Sequence, residues 1–456
     1  MTVQPAPTAV IPGQRGLFAG LRNLQHIQAD MLSVYVDAHH QYGDIANIPA
    51  GPINQVLITR PEHIQHVLKS NAENYIKGIG FSGLKASLGD ALFTTDNMPL
   101  WRKQRRIMAP PFTPRGVTRF DDRMLAATTA MLDRWQTPAR TGEPIDFHTE
   151  MLRLTMDIIS RTIFNIALNE STLAIANDFA YVLEFAGTRG RNVLAPPLWL
   201  PLPTNQRFKR SLNNLHSYME RILAERLTHP TKDPDLISLL INATDFETGE
   251  KMDEKQMRDE ILTLFFAGHE TTAQALTWTA YLLAENPAWT ERLTAQVDST
   301  LNGRLPTAAD VPALPAVTMT ALEALRLYPP IYIFIRQAVG ADQLGPYPIA
   351  PSTLIILSQW ITHRHPEFWP DPERFDPERF TPENDAQRHP FAFFPFGGGP
   401  RICLGNSFAI LEMELVLTMI LQRYQFTLVP GTQVVPDRAS TLRPKGGLPV
   451  RLTARD

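Results

Sequence analysis

The chain has a single cysteine, Cys403, in 456 residues. No internal disulfide can form, which excludes a disulfide-stapled scaffold, and one thiolate cannot hold an iron–sulfur cluster. A lone free cysteine suits a reducing compartment. Long runs of one charge are also missing. Lys and Arg total 43 against 46 Asp and Glu, a formal net charge of -3, so nothing in the balance points to nucleic acid. No apolar run is long enough to span a bilayer. Met1-Thr2-Val3-Gln4-Pro5-Ala6-Pro7-Thr8 lacks the basic start and apolar core of a signal peptide. The expectation is a cytoplasmic chain without a transmembrane anchor. Internal repeats are absent too.

What is present describes an ordinary globular protein, 44% hydrophobic and 20% charged, of a length that allows one large domain or two ordinary ones. The 39 prolines cluster between the helical stretches, which implies long shaped connections. Cys403 lies in Phe394-Pro395-Phe396-Gly397-Gly398-Gly399-Pro400-Arg401-Ile402-Cys403-Leu404-Gly405. Read alone, a free cysteine is a small buried hydrophobe. Here three glycines and a proline make an irregular loop whose backbone can approach another object closely. The run from Asn406 to Leu415 reads as a helix start. A sulfur just ahead of a helix N-terminus sits near free N–H groups and a positive dipole end, which favours thiolate over thiol. Arg401 adds positive charge.

Residues 44–58 read as a hairpin turning at Ala50-Gly51-Pro52, and Pro61 starts a short helix through Leu68. The glycine-rich stretch from Tyr75 to Asp90 reads as a loop. In Trp101-Arg102-Lys103-Gln104-Arg105-Arg106, Trp101 and Arg105 share one helix face and Arg102 and Arg106 another; in isolation this is a solvated basic helix. From Arg119 to Leu227 come several amphipathic helices, broken at Gly142-Glu143-Pro144 and Ala195-Pro196-Pro197. A long, largely apolar helix begins near Asp253 and carries Ala267-Gly268-His269-Glu270-Thr271-Thr272. Glycine there costs roughly 1 kcal/mol against alanine, and a buried glutamate costs more unless satisfied. Thr271 can bond back to the carbonyl of Ala267, bending the helix and opening a groove beside it. A simple kink with a solvated Glu270 is the alternative. Helix geometry turns His269 about 100° from Gly268 and about 200° from Ala267. Glu323 and Arg326 are spaced as an i,i+3 ion pair, worth little on a surface. Further strands are expected at Leu354–Ser358, Gln425–Val429 and Pro449–Leu452.

Phe396-x-x-Gly399-x-Arg401-x-Cys403-x-Gly405 resembles the haem-binding signature of the cytochrome P-450 family, matched at every fixed position, in the manner of soluble bacterial-type members. The resemblance implies a single haem-thiolate monooxygenase domain over residues 1–456, mainly α with a smaller β portion. Its parts would be an N-terminal β-rich stretch at about 40–60, a helical core at about 61–330 and a haem-binding meander and loop at about 360–405. Cys403 would ligate the iron of haem b (iron protoporphyrin IX), with Phe396 and Gly405 in the same cradle and Ala267 facing the ring. Trp101, Arg105, Arg336 and Arg401 would hold the propionates. Glu323, Arg326 and Arg379 would form a buried ionic cluster that locks the meander, which must be fully paired to be stable. Thr271 would hydrogen-bond dioxygen and Glu270 would relay protons to it, with His269 pointing away. Leu264, Ala267, Ile331, Ile333 and Phe334 would line a pocket for a lipophilic small molecule, and the Tyr75–Asp90 region would help to select it. His365 departs from the family pattern, standing where relatives more often place Asp.

The activity implied is reductive activation of O2 with insertion of one oxygen atom, as hydroxylation or epoxidation. A peroxygenase or isomerase-type enzyme of the same fold is the alternative, and a non-enzymatic haem sensor or electron carrier a third. Electrons would come from a separate ferredoxin or flavodoxin with its NAD(P)H reductase, docking on an outward basic patch of Arg102, Lys103 and Arg106.

Overall fold

The computed structural model describes residues 9–168, 170–191, 196–229, 234–438 and 441–455; Met1 to Thr8 and Ala195, read above from sequence, lie outside them. The protein is mainly α with a smaller β portion, as expected. Its chain divides into two compact units, Met1–Ser82 with Leu325–Cys403 and Gly83–Ala324 with Leu404–Asp456. Among the described residues no helix is long and apolar enough to cross a membrane.

The first unit is built on a five-stranded sheet. Ile45–Asn47 and Gln55–Ile58 form the expected antiparallel hairpin, with Ala46 opposite Leu57 and a closing bridge between Ala50 and Ile53. Gln55–Ile58 then pairs in parallel with Leu354–Leu357, and every residue of both strands is buried. A strand covered on both faces needs an apolar run rather than alternation. Successive side chains still take opposite faces. Val56, Ile58, Ile355 and Leu357 join Phe391 and Phe394 in one cluster, whereas Leu57 and Ile356 join Tyr35 in another. Phe334–Ala338 and then Tyr75–Ile76 complete the sheet.

Two local readings change. The helix at Pro61 runs to Gln65 and continues as a π-helical turn, His66–Ser70. The stretch from Tyr75 is ordered rather than a loop: the strand is followed by a 3-10 turn, Gly78–Phe81, and a helix, Ser82–Leu88. Tertiary pairing overrides its glycine content. Tyr75 is buried, pairs with Ala338 and donates its hydroxyl to Asp342 at 2.6 Å.

The second unit is organised around the helix Glu254–Glu285. Asp253 caps it, its carboxylate accepting the Gln256 N–H at 2.7 Å, so the helix begins where the sequence put it. It packs on the helix Phe147–Phe164. At Gly268 a Cβ would come within 2.8 Å of Ile159 Cδ1, so a larger residue there would require the Ile159 side chain to shift. The break at Gly142 is also found: it ends the helix Gln136–Thr141 in left-handed conformation, φ 72°. Tyr424–Leu428 and Pro449–Ala454 pair antiparallel, with Ile145–Asp146 at the other edge.

The helix Asn406–Arg423 carries two buried carboxyls into this core. Glu414 accepts a hydrogen bond from the Thr318 hydroxyl, and burial pushes its pKa up to about 7. Glu412 is fully enclosed, with no hydrogen bond to either oxygen among the described residues, and burial raises it well above the usual carboxylate value. A carboxyl neutral in the fold but ionised in the unfolded chain lowers stability as pH rises above its unfolded pKa. Glu412→Gln cannot ionise. Its stability relative to the parent should therefore climb from pH 4.5 to pH 8, by at most about 1.4 kcal/mol per pH unit. Denaturant unfolding across that range checks this, and a pH-independent difference would contradict it.

Candidate active site

Cys403 is exposed, so it is not the buried hydrophobe that a lone cysteine usually is. Its N–H donates to the Phe396 carbonyl at 2.9 Å, closing the glycine loop on itself. Gly399 lies in the left-handed region, φ 65°, and an added Cβ would stand 1.8 Å from the Leu68 carbonyl oxygen. The loop is therefore seated on the π-helical turn His66–Ser70, a support with no local signal in the chain. The helix Asn406–Arg423 opens three residues beyond the sulfur, with no side-chain cap from Gly405.

Arg326 holds the chain leading into this loop. It is wholly buried, and its guanidinium donates to the carbonyls of His363 at 2.9 Å, Pro372 at 2.7 Å and Arg374 at 3.1 Å. It also stacks over Trp369, 5.1 Å from the ring centre, and the Trp369 N–H reaches the Ala392 carbonyl at 3.3 Å. His363 continues the chain of contacts, its Nε2 accepting the Phe394 N–H at 3.0 Å. Burial, with Arg326 and Arg364 adding to it, holds His363 well below its ordinary pKa, so the ring stays a neutral acceptor. Glu323 is wholly buried one turn before Arg326. Arg379 is half-buried and donates to the Asp371 carbonyl at 2.9 Å. Both arginines thus bind backbone carbonyls of the meander itself.

His365 does more than make local meander contacts. Its Nε2 lies 3.0 Å from Asp44 Oδ1, and His39 Nδ1 stands 3.6 Å from the same oxygen. Two imidazoles and a carboxylate this close could suggest a metal site. However, the Glu367 N–H donates to His365 Nδ1 at 3.2 Å, which puts the proton on Nε2 and makes it a donor to Asp44, not a ligand.

In the second unit, the Thr271 hydroxyl donates to the Ala267 carbonyl at 2.8 Å, as the sequence predicted, and the helix runs on unbroken. Ala267 is exposed and Leu264 half-buried, whereas Phe265 and Thr272 are buried, so the helix opens a surface beside Ala267. Glu270 is half-buried and accepts the Thr441 hydroxyl at 2.5 Å. Sequence reading missed Thr441, which lies 171 residues downstream with no local motif. His269 is half-buried. Burial, then the nearby His148, lower its pKa to about 4, and its Nδ1 is enclosed without a partner.

On the helix Met98–Met108, Trp101 is buried and Arg105 half-buried, in keeping with a shared inward face. The neighbouring cations are not the free patch expected. Arg106 makes a bidentate pair with Asp245 at 2.6 and 2.7 Å and reaches Glu247 at 3.0 Å, while Lys103 pairs with Glu250. Arg106 in turn holds Asp245 well below the usual carboxylate range. Arg102 is exposed. In the first unit Arg336 is 9% exposed and donates to the Ile335 carbonyl at 2.9 Å, and Arg401, Phe396 and Ile331 are half-buried. Ile333 and Phe334 pack on opposite faces of the sheet, Phe334 against Phe394 with 6.2 Å between ring centres. This donor set fits a haem: one exposed thiol for iron, on a loop fixed from behind, and arginines suited to carboxylates.

The cytochrome P450 family model matches residues 12–449. The chain is 34% identical to cyclooctatin synthase of Streptomyces melanosporofaciens, over 87% of this chain and 85% of that protein. It is 32% identical to cyclooctat-9-en-7-ol 5-monooxygenase of the same organism, over 86% and 84%. Among solved structures, the haem domain of cytochrome P450DA superposes with a TM-score of 0.89 at 26% identity, covering 99% of each chain.

The seat of the sulfur loop can be tested without any ligand. Gly399→Ala combines an unfavourable φ with a collision against backbone, and should cost more than about 2 kcal/mol in denaturant unfolding. A loss under about 0.5 kcal/mol would show that the loop does not rest on Leu68.

Proposed function

The chain belongs to the cytochrome P450 family and is a haem-dependent monooxygenase, and we propose how its own residues serve that reaction. One oxygen atom enters the substrate while two electrons and two protons take the other to water. Bound haem supplies the reductive activation of dioxygen. Cys403, as thiolate, is the proposed iron ligand, and its exposure in a pinned loop is the observation that carries the proposal. Phe396 and Gly405 complete its cradle. Trp101, Arg105, Arg336 and Arg401 are assigned to the propionates, which arginine forks suit. The form is haem b, because the one cysteine is used as ligand and none is left for thioether attachment.

Glu270 and Thr271 are assigned the transfer of protons to dioxygen. Thr271 already has its hydroxyl hydrogen on the Ala267 carbonyl, which leaves its oxygen free to accept a hydrogen bond from an incoming proton carrier. Reduction of one dioxygen atom to water consumes two protons, which such a pair would deliver and an isomerase does not need. Leu264, Ala267 and Ile331 are assigned to a lipophilic substrate; Ile333 and Phe334, packed into different clusters on opposite faces of the sheet, do not line one pocket together. That class accords with a relative named for its action on cyclooctat-9-en-7-ol.

Residues 12–449 are taken up by the haem domain, so electrons arrive from outside them. A ferredoxin or flavodoxin with an NAD(P)H reductase is the proposed source, and the cytoplasm the proposed location, in keeping with the unpaired cysteine. Docking through Lys103 and Arg106 loses support, since both are committed to acidic residues of this chain.

The ferrous carbon monoxide complex should show the red-shifted Soret band of thiolate ligation and lose it in Cys403→Ala. Retention of that band would overturn the ligand assignment. Thr271→Ala should still bind haem and substrate while diverting electrons to peroxide, raising peroxide per electron several-fold. Unchanged coupling of electron use to product would rule out the relay.

A further inference from the structure

We infer that Thr441 is the positioning residue for the Glu270 carboxylate, fixing the proton donor of the relay from a segment far along the chain. The inference rests on the relay reading above and adds a member to it. Neither the neighbouring Thr271 nor Ala267 one turn back gives Glu270 a donor. The hydroxyl of Thr271 is spent on the Ala267 carbonyl, and Ala267, one turn back, offers none. A glutamate has three rotatable bonds, and an unanchored one on a half-buried helix face samples several rotamers. Thr441 supplies the missing donor at 2.5 Å, and it is only 5% exposed.

A donor fixes its acceptor only if it is itself fixed, and here the same helix does that. Trp278, wholly buried two turns beyond Glu270, donates its indole N–H to the Leu442 carbonyl at 2.9 Å. Leu442 begins the short strand Leu442–Pro444, paired antiparallel with Pro436–Arg438. The helix therefore holds Leu442 through Trp278, and the residue before Leu442 holds Glu270. The resulting ring of contacts closes through Glu270, Thr441, Leu442, Trp278 and the helix backbone. A hydroxyl gives one proton to one carboxylate oxygen, so Oε1 is taken by Thr441 and Oε2 is left to collect and hand on protons. Rotation of Glu270 away from this arrangement would break a partly buried hydrogen bond to a charged group, which is stronger than a neutral one.

Three variants test this: Thr441→Val, which keeps the shape and removes the hydroxyl, Thr441→Ser, which restores it, and Glu270→Gln. The infrared difference between parent and Glu270→Gln isolates the Glu270 carboxylate band. That band should shift and broaden in Thr441→Val and return in Thr441→Ser. Product formed per electron should fall at least two-fold in Thr441→Val, with peroxide rising to match and a larger slowing in heavy water. Thr441→Ser should stay within 1.5-fold of the parent. Substrate-induced spectral shifts should be the same in all three, showing an intact haem site. If Glu270→Gln uncouples turnover while Thr441→Val neither moves the band nor uncouples, the inference is wrong and the relay stands. If Glu270→Gln leaves coupling unchanged, the relay itself is wrong and the inference falls with it.

Discussion

One buried guanidinium fixes the sulfur-bearing part of this protein. A charge with no exposure to water is stable only when its hydrogen-bonding capacity is met. Arg326 meets it with three main-chain carbonyls, those of His363, Pro372 and Arg374, and with the face of Trp369. These carbonyls belong to irregular chain that has no ladder partners of its own, so the cation and the meander satisfy each other. The order is passed on. His363 takes the Phe394 N–H, Trp369 takes the Ala392 carbonyl, and the loop that follows closes through Cys403 onto Phe396. A loop held this way is fixed by its own scaffold, which is what preorganisation requires.

The helix Glu254–Glu285 solves the opposite problem, placing polar groups in an apolar helix without losing the helix. Gly268 leaves room for the Ile159 side chain, Thr271 satisfies itself on Ala267, and Glu270 is satisfied from outside by Thr441. Thr272 is buried, and desolvation lowers the pKa of His269 to about 4. Thr271 and Glu270 are thus accounted for by different neighbours. The exposed surface beside Ala267 follows from where those neighbours leave no side chain.

What could be read in the sequence was what short-range rules govern. The Asp253 cap, the left-handed Gly142 and the Thr271 bond to Ala267 all involve residues within four positions of one another. The signature around Cys403 was legible because several fixed residue types crowd one short loop. What escaped depended on distant partners. The Thr441 hydroxyl on Glu270, the His365 ring on Asp44 and the acidic residues facing Lys103 and Arg106 have no local signal. The basic run was misread for that reason: its sign was visible but the charges that neutralise it lie more than a hundred residues away. The Tyr75 stretch was misread because glycine content argues for a loop, whereas the buried Tyr75 and its bond to Asp342 impose a strand.

Everything proposed for this protein depends on whether the exposed sulfur of Cys403 is bound to iron in the holoprotein. X-ray absorption at the iron edge reads the atoms around the metal directly, without turnover or an added gas ligand. The account predicts one sulfur neighbour in the parent protein and its loss in Cys403→Ser. Iron surrounded only by nitrogen and oxygen in the parent, or a sulfur neighbour that persists in Cys403→Ser, would contradict it.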